Sequence, residues 1–303
     1  MGKIKLSFLI VLLVFGAVDG LAKEIALTFD DAPTETTSHF ETFARTDALI
    51  KKLRTLNVPQ VMIFANACKR EDSASVIRQL KQYKDNAHLI ANHSCSHPRL
   101  DTAGFDVYAR DVKQGDVLLT SLFSGQKYFR YPYLNEGTDE KLRDQMREWL
   151  IENQYRNGMV SVDNDDYFFS FKINQAKQQG KKIDYEAVRQ LFLNHMLGAV
   201  DFYDDLALKT IGRSPKHVML LHEMDATVMF IDSLVEELRK RGWTIISPEQ
   251  AYKDPLYLEA PRNTYAGNGI LAQLTLERTG HKTGYNYKKF HELEAALDRI
   301  LGL

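Results

Sequence analysis

Short apolar runs alternate with longer segments of helical periodicity along most of the chain, and this alternation limits the fold more than any other feature. The candidate strands are EIALTF (24–29), VMIFANA (61–67), HLIAN (88–92), KYFRY (127–131), GMVSV (158–162), HVMLLH (217–222) and WTIIS (243–247). The candidate helices lie near 40–56, 72–84, 105–122, 138–153, 184–210 and 228–241. A strand followed by a helical connector and a further strand predicts repeated βαβ units, and hence a parallel sheet.

The number of candidate strands favours a barrel over an open sheet. Seven strands within about 230 residues predict an α/β fold of the TIM type, a distorted (β/α)7 barrel one strand short of the usual eight. A doubly wound open sheet is the alternative. Residues 255–303 contain several turn residues and a predicted final helix at 287–301. We therefore expect a catalytic domain at 23–254 and a C-terminal extension that packs on it.

Residues 1–22 have the pattern of a secretory signal peptide. Lys3 and Lys5 precede an apolar run from Leu6 to Val18, and small residues follow up to a cleavage site after Ala22. The run is shorter than the ~20 residues that a spanning helix needs, which favours cleavage over a permanent anchor. We expect a bacterial protein that is exported to the periplasm or secreted, without membrane attachment after cleavage.

The composition indicates a soluble globular protein and excludes some partners. Hydrophobic residues make up 44% and charged residues 26% of the chain, and the formal net charge is −1. This balance gives no reason to expect nucleic acid or an anionic membrane surface as a partner. Export would permit a disulfide between Cys68 and Cys95, but the sequence does not show that they are close, so no bridge is predicted. The sequence says nothing about oligomeric state.

Charged residues and histidines stand at the carboxyl ends of five candidate strands. They are Asp30 and Asp31, His93 and His97, Arg130, the acidic group Asp163, Asp165 and Asp166, and His222. The loops at these strand ends converge on one rim in parallel α/β folds, and active sites form there. Scattered surface charge would not select the same end of the strand five times, so we predict one site built from these groups.

The rim offers two imidazoles and a carboxylate as metal ligands. His93 and His97 lie four residues apart in ANHSCSH, a spacing that is ambiguous on its own, and Asp31 completes the set. Zn²⁺ accepts such ligands and keeps positions open, while other divalent ions also accept them, so the metal identity stays open. Asp30 would be the general base. Successive strand residues point to opposite faces, so both carboxylates can face the rim only if the strand ends before them.

Five short motifs occur in a fixed order along the chain. They are TFDDAP (28–33), HSCSH (93–97), RYPY (130–133), DNDDY (163–167) and LLH (220–222). Together they resemble the motifs of the polysaccharide deacetylases, carbohydrate esterase family 4, which share the NodB-homology domain. Each motif alone is weak, whereas all five in order are specific.

The resemblance implies a distorted (β/α) barrel and a metal-dependent hydrolase that removes acetyl groups from N-acetylated sugars. Asp30 would be the base, oriented by Arg130, beside a metal that is usually zinc. The metal would be held by Asp31, His93 and His97.

The remaining motifs imply the groups that complete the reaction. The backbone N–H of Tyr133 would stabilise the oxyanion. His222, held by Asp166, would protonate the leaving amine, and Leu220 would line a pocket for the acetyl methyl group. Tyr167 stands in the substrate pocket where the family mostly has Trp.

Two further departures concern the surroundings of the site. Residues 168–215 form a longer, mostly helical connection than compact members need, and Glu223 directly after His222 would add charge there. Asp165 is expected to be a solvated loop acid.

The sequence leaves several functions open. The leading hypothesis is removal of N-acetyl groups from an N-acetylglucosamine-containing poly- or oligosaccharide. An O-acetyl xylan esterase or a non-sugar amidase would use the same groups. A carbohydrate-binding protein with an inactive site is a third alternative, although such a protein is expected to lack one of the principal polar residues, and all are present.

Overall fold

The described part of the chain, residues 23–68 and 72–303 of a computed structural model, consists of alternating strands and helices. The strands are β1 (Lys23–Ala32), β2 (Met62–Ala65), β3 (Leu89–Asn92), β4 (Lys127–Phe129), β5 (Tyr155–Asn157), β6 (His217–His222) and β7 (Trp243–Ile245). The helices are α1 (Thr42–Thr55), α2 (Ser73–Asp85), α3 (Leu100–Ala103), α4 (Phe105–Leu119), α5 (Glu140–Glu152), α6 (Asp166–Gln178), α7 (Tyr185–Ile211), α8 (Asp225–Lys240), α9 (Pro248–Ala251), α10 (Gly269–Thr279) and α11 (Tyr285–Leu301).

The strands form one curled parallel sheet. Their order is β5-β4-β3-β2-β1-β6, and β7 pairs with the first residues of β1. The chain after β5 comes alongside β6, where Val162 bridges to Met219 in parallel. The predicted α/β class and the distorted (β/α)7 barrel are therefore confirmed, and the alternative of a doubly wound open sheet is not adopted.

β1 occupies the centre of this sheet. Its residues from Ile25 to Ala32 are buried without alternation, which is typical of a parallel strand covered on both faces. β2 and β6 flank it, and Asp30 lies directly across from His222 in the β1–β6 register. The carboxyl end of β1 therefore lies in the middle of the rim.

The fifth strand was predicted three residues too late. GMVSV (158–162) is not a sheet strand, because β5 comprises Tyr155–Asn157. At Gly158 the backbone crosses the ring of Phe64 so closely that an added Cβ would lie 2.5 Å from that ring. The chain here leaves β5 and crosses the core towards β6, so residues 158–162 are buried, and they pair with β6 only at their end, through the Val162–Met219 bridge.

The later helices agree with the sequence prediction in one region and differ from it in another. The connection 168–215, predicted to be mostly helical, consists mainly of α6 and α7. α10 was not predicted, because its residues Ile270–Thr275 are all buried and show no amphipathic period.

The C-terminal extension joins the main hydrophobic core. α10 and α11 pack against α7, and α11 also packs against α6. Leu293, Leu297 and Leu301 are buried on α11 within the same core cluster as the sheet. Residues 255–303 therefore pack on α6 and α7, the two helices that follow the fourth motif.

Cys68 and Cys95 form a disulfide that the sequence did not predict. Their Cα atoms are 4.7 Å apart, and the Cys68 N–H donates to the Cys95 carbonyl at 2.9 Å. The bond joins the segment after β2 to the loop after β3. The two cysteines are 27 residues apart in the sequence. They come together because β2 and β3 are neighbours in the sheet, which the sequence alone does not show.

The predicted signal peptide at 1–22 lies outside the described residues. Within residues 23–68 and 72–303, no helix combines the length and the apolar character needed to cross a bilayer.

Candidate active site

A cavity of about 320 Å³ opens at the carboxyl ends of the strands. Its walls include most of the side chains predicted to form the site, namely Asp30, Asp31, His93, His97, Tyr133, Tyr167, Leu220 and His222. Arg130 and Asp166 lie behind this wall, with exposed fractions of 1% and 0%. The structure thus brings all ten predicted site residues to one place.

The two adjacent aspartates reach the cavity by a different route from the one expected. The strand does not end before them, since β1 continues to Ala32. Asp31 instead adopts a left-handed conformation with φ 66°, and the pairing with β2 is irregular between Phe29 and Ala32. Such a bulge re-aims side chains, so Asp30 and Asp31 can both face the rim.

Three donor atoms converge on one point of the cavity. The Nε2 atoms of His97 and His93 lie 3.2 Å and 3.7 Å from Asp31 Oδ1, and the three donor groups lie within 4.8 Å of one another. His93 Nδ1 lies 2.8 Å from the Arg130 carbonyl oxygen, to which it donates, so its Nε2 lone pair faces the cavity. Burial lowers the pKa of His93 to about 3, which keeps the ring neutral. This donor set fits a divalent cation such as Zn²⁺.

The loop that carries both histidines is held from several sides. The carboxylate of Asp111 on α4 accepts from the N–H groups of Cys95 and Ser96 and from the Ser96 hydroxyl. Asn66 Nδ2 donates to the His93 carbonyl at 2.5 Å. Together with the disulfide at Cys95, these bonds fix the separation of the two imidazoles.

Asp30 lies in a buried environment dominated by Arg130. Arg130 Nη1 donates to Asp30 Oδ1 at 2.6 Å, while its Nε donates to the Gly158 carbonyl at 2.7 Å. Burial raises the pKa of Asp30 to about 6, against the opposing charge of Arg130 and with a smaller contribution from Asp31. A carboxylate with a pKa near the working pH is suited to accept and release a proton.

His222 and Asp166 form a pair at the cavity wall, in which Asp166 is buried and the His222 side chain is 15% exposed. His222 Nδ1 lies 2.6 Å from Asp166 Oδ1, and Asp166 Oδ2 accepts from the His222 N–H at 2.7 Å and from Thr227 Oγ1 at 2.6 Å. Burial alone would lower the pKa of His222, but the Asp166 carboxylate outweighs it and raises the pKa to about 9. The ring is therefore an imidazolium at neutral pH.

Tyr133 supplies a backbone donor at the cavity wall. It lies in a short 3₁₀ turn with φ 59°, and the following N–H groups of Leu134 and Asn135 bond to carbonyls of the same turn. Among the described residues, the Tyr133 N–H donates to no acceptor. The Tyr133 ring packs on His97 with centroids 4.5 Å apart, which places this turn beside the donor atoms.

Leu220 and Tyr167 supply apolar surface to the cavity. Leu220 is 5% exposed on β6. Tyr167 is 40% exposed, and its ring centroid lies 5.6 Å from that of His222. Both side chains line the cavity, and their contact with a substrate stays a prediction.

Asp163, which the sequence places at the rim without a role, pairs in the cavity wall with Asn286, which the sequence does not predict. Asp163, 4% exposed, accepts from Asn286 Nδ2 at 3.0 Å, and both side chains line the cavity. Burial raises the pKa of Asp163 well above its usual value, reinforced by the charge of Asp165. Asn286 lies at the start of α11 and belongs to no motif, so no sequence signal could have identified it.

Two expectations about acidic side chains were wrong. Asp165 is not solvated, because it is 2% exposed and lies 3.4 Å from His195 Nε2 on α7. Glu223 does not add its charge to the cavity. Its carboxylate faces α1 and α2, where it accepts from Thr46 Oγ1 at 2.5 Å and from the Tyr83 hydroxyl at 2.6 Å.

Comparisons of the sequence identify a related family. Residues 17–153 match the family model described as polysaccharide deacetylase. A peptidoglycan-N-acetylglucosamine deacetylase from Bacillus cereus is 28% identical over 145 residues, which are 48% of this chain and 46% of that protein. The match therefore spans about half the length of this relative.

Several solved structures share the fold. A peptidoglycan N-acetylglucosamine deacetylase in complex with 4-naphthalen-1-yl-N-oxidanyl-benzamide has a TM-score of 0.52 at 21% identity, over 77% of this chain and 89% of that one. A polysaccharide deacetylase from Bacillus cereus has a TM-score of 0.52 at 18% identity, over 74% and 91%. A carbohydrate esterase family 4 pseudoenzyme from Bacillus anthracis also reaches 0.52, at 15% identity over 76% and 66%. These likenesses establish the fold and not the reaction.

Proposed function

We infer that this chain, whose residues 17–153 belong to the polysaccharide deacetylase family, is a metal-dependent hydrolase that removes N-acetyl groups from an N-acetylglucosamine-containing poly- or oligosaccharide. One observation carries the proposal. A buried carboxylate with a raised pKa and a partly buried imidazolium line one cavity, next to three converging donor atoms. Groups whose environments separate their protonation states are suited to act as base and acid in one reaction.

We propose that Asp31, His93 and His97 hold a divalent cation, with Zn²⁺ as the first choice. The support is the geometry of the three donors and the neutral state of His93. A bound cation would polarise the acetyl carbonyl and acidify a water molecule.

Asp30 would begin the reaction as the general base. Its Oδ1 is held by Arg130, so Oδ2 is left to accept a proton from the attacking water. The water oxygen then forms a bond to the acetyl carbonyl carbon. The carbonyl oxygen becomes an oxyanion, which would accept a hydrogen bond from the Tyr133 N–H.

His222 would complete the reaction as the general acid. As the tetrahedral oxyanion collapses, its Nε2 proton passes to the amide nitrogen, the C–N bond breaks, and acetate and a free amine leave. Asp166 keeps the imidazole charged and oriented throughout. Leu220 would contact the acetyl methyl group, and Tyr167 would border the sugar.

The alternatives are distinguished by what the leaving group needs. An amine leaves poorly as an anion, whereas an ester alkoxide or phenolate needs a proton less. The His222–Asp166 pair therefore favours amide substrates over the O-acetyl esters of xylan. The same pair favours an active enzyme over the inactive binding protein that the fold alone would allow. We also propose that the protein is exported, on the basis of residues 1–22.

Acetate release from a panel of substrates tests this function. The panel contains N-acetylglucosamine oligomers, peptidoglycan, acetylated xylan and an aryl acetate, each assayed with wild type and with His222→Ala. We expect acetate from at least one N-acetylated sugar, and a larger loss of kcat/KM in the variant on that sugar than on the aryl acetate. Release from acetylated xylan alone would instead support the esterase, and no release from any member by the zinc-loaded protein would contradict catalysis.

A further inference from the structure

A second concavity adjoins the cavity described above. It has a volume of about 590 Å³ and lies between α6 and the loop that connects β1 to α1. Tyr167 and Met224 line both concavities, so the two are adjacent. We call the second one the α6 groove; its walls are the α6 face from Tyr167 to Gln178 and the loop 34–37.

One face of α6 forms the longer wall of the α6 groove. The side chains that line it are Tyr167, Ser170, Phe171, Asn174, Gln175 and Gln178. They are spaced three, four, seven, eight and eleven residues from Tyr167, so they form one stripe along the helix. Tyr167, Phe171 and Gln178 of this stripe are exposed, so aromatic and amide side chains are available to a ligand.

The opposite wall is held in place by a buried ion pair. Arg45, 0% exposed, donates from Nε to Asp225 Oδ1 at 2.9 Å and from Nη1 to the Glu35 carbonyl at 2.8 Å. Asn174 Nδ2 on α6 donates to Asp225 Oδ2 at 2.7 Å. Asp225 therefore fixes both walls, and the α6 groove is formed before any ligand arrives, which lowers the entropic cost of binding.

The chemistry of the α6 groove fits a carbohydrate. Phe171 is 61% exposed and lies one helical turn from the exposed ring of Tyr167, so two aromatic rings face the same groove. In the described part of the chain, the buried Oε1 of Gln175 has no hydrogen-bond partner, and it could accept from a hydroxyl. Arg45 is paired with Asp225, while Glu35 is exposed on the loop, so the lining favours an uncharged ligand over an anionic one.

We propose that the α6 groove binds the sugar residues adjacent to the one whose acetyl group lies in the cavity. Phe171 and Tyr167, one helical turn apart, provide flat apolar surface for pyranose rings, and Gln175 and Gln178 accept and donate hydrogen bonds at their edges. The ligand is an uncharged N-acetylated hexosamine chain of several units. This inference rests on the proposed function for the identity of the sugar.

The test separates binding in the groove from chemistry in the cavity. Binding of an N-acetylglucosamine pentamer and of the single sugar is measured by calorimetry on Asp30→Asn protein, which should leave the substrate intact. The same background then carries Phe171→Ala, Phe171→Trp or the control Ile151→Ala, which removes a comparable exposed apolar side chain, 73% exposed, from α5. Loss of the Phe171 ring should raise the pentamer Kd about tenfold, while Phe171→Trp and Ile151→Ala bind as the parent does.

A second readout excludes a merely structural role for Phe171. In an otherwise wild-type chain, Phe171→Ala should leave kcat/KM unchanged on an aryl acetate that carries no sugar. Unchanged pentamer binding in Phe171→Ala, equal affinity of the parent for pentamer and single sugar, or a matching loss on the aryl acetate would each overturn the proposal. If the pentamer binds through Phe171 but the wild type releases no acetate from it, the result contradicts the proposed deacetylation and supports binding of the sugar chain in the α6 groove.

Discussion

Replacing Asp166 by Asn should move the alkaline limb of the pH–rate profile towards neutral pH. Asp166 Oδ1 lies 2.6 Å from His222 Nδ1, and its charge is the main reason why the pKa of His222 is raised to about 9 despite burial. The general acid must be protonated to act, so activity is expected below this pKa and lost as the pH rises through it. Removing the negative charge lowers the pKa, and the loss then begins at a lower pH.

The size of the shift follows from the contact that is lost. A hydrogen bond to a charged group contributes roughly 1.5–3 kcal/mol, and one pKa unit corresponds to about 1.4 kcal/mol. The limb should therefore move down by roughly one to two pH units. The introduced amide adds to this effect. Asp166 Oδ2 already accepts from two donors, so the single oxygen of the amide would stay there, and its NH₂ group would face Nδ1 and favour the neutral ring.

The assay is kcat/KM against pH on an N-acetylated sugar for wild type, Asp166→Asn and Asp165→Asn. Asp165→Asn removes an equal charge from the same loop, but this side chain faces His195 and not His222, so its limb should coincide with that of wild type. A bound cation would lower the pKa of His222 in all three proteins, which is why the difference between them is the informative quantity. An alkaline limb at the same pH in wild type and Asp166→Asn, or an equal shift in Asp165→Asn, would refute the assignment of His222 as the acid.

Three further changes test the remaining parts of the site. His93→Ala and His97→Ala should each bind far less zinc than the one ion per chain expected of wild type, by metal analysis of the purified proteins, and full metal content in both would exclude this ligand set. Asp30→Asn should retain the metal and lose ~10²–10⁴-fold in kcat, the usual contribution of a general base; a loss below tenfold would mean that another group accepts the proton. Replacing Cys68 and Cys95 by Ser should weaken zinc binding, measured by competition with a chelator, because the disulfide fixes the loop between the two histidines; equal zinc affinity would show that the Asp111 hydrogen bonds suffice.

The principal polar groups could be predicted because each one lies at or near the carboxyl end of a strand. Asp30, His93 and His222 follow apolar runs, and in a parallel sheet the carboxyl ends of such runs meet at one rim. The alternation of strands with helices indicates parallel strands. Parallel strands bring these groups to one rim whatever their exact distances are.

The parts that escaped prediction depend on contacts between distant segments or on backbone conformation. Asn286 reaches Asp163 from 123 residues along the chain, and no local pattern marks such a contact. Asp165 was expected in solvent because it lies in a polar loop, yet α7 and α11 cover that loop. The bulge at Asp31 is a single left-handed residue, and a sequence with Asp at that position predicts a turn or cap as readily.

The central position of β1 has a consequence for synthesis of the protein. β1 is the first described element to leave the ribosome, but one of its edges pairs with β6, about 190 residues later; Thr28 Oγ1 donates to the Met219 carbonyl across this pair. Until residues 217–222 emerge, that edge of an apolar strand remains open to pairing with another chain. A fragment that ends at residue 153, where the family match ends, would contain the three proposed metal ligands and the proposed base, but neither the proposed acid nor β6, which covers one edge of β1. We expect such a fragment to aggregate and not to yield a smaller functional domain.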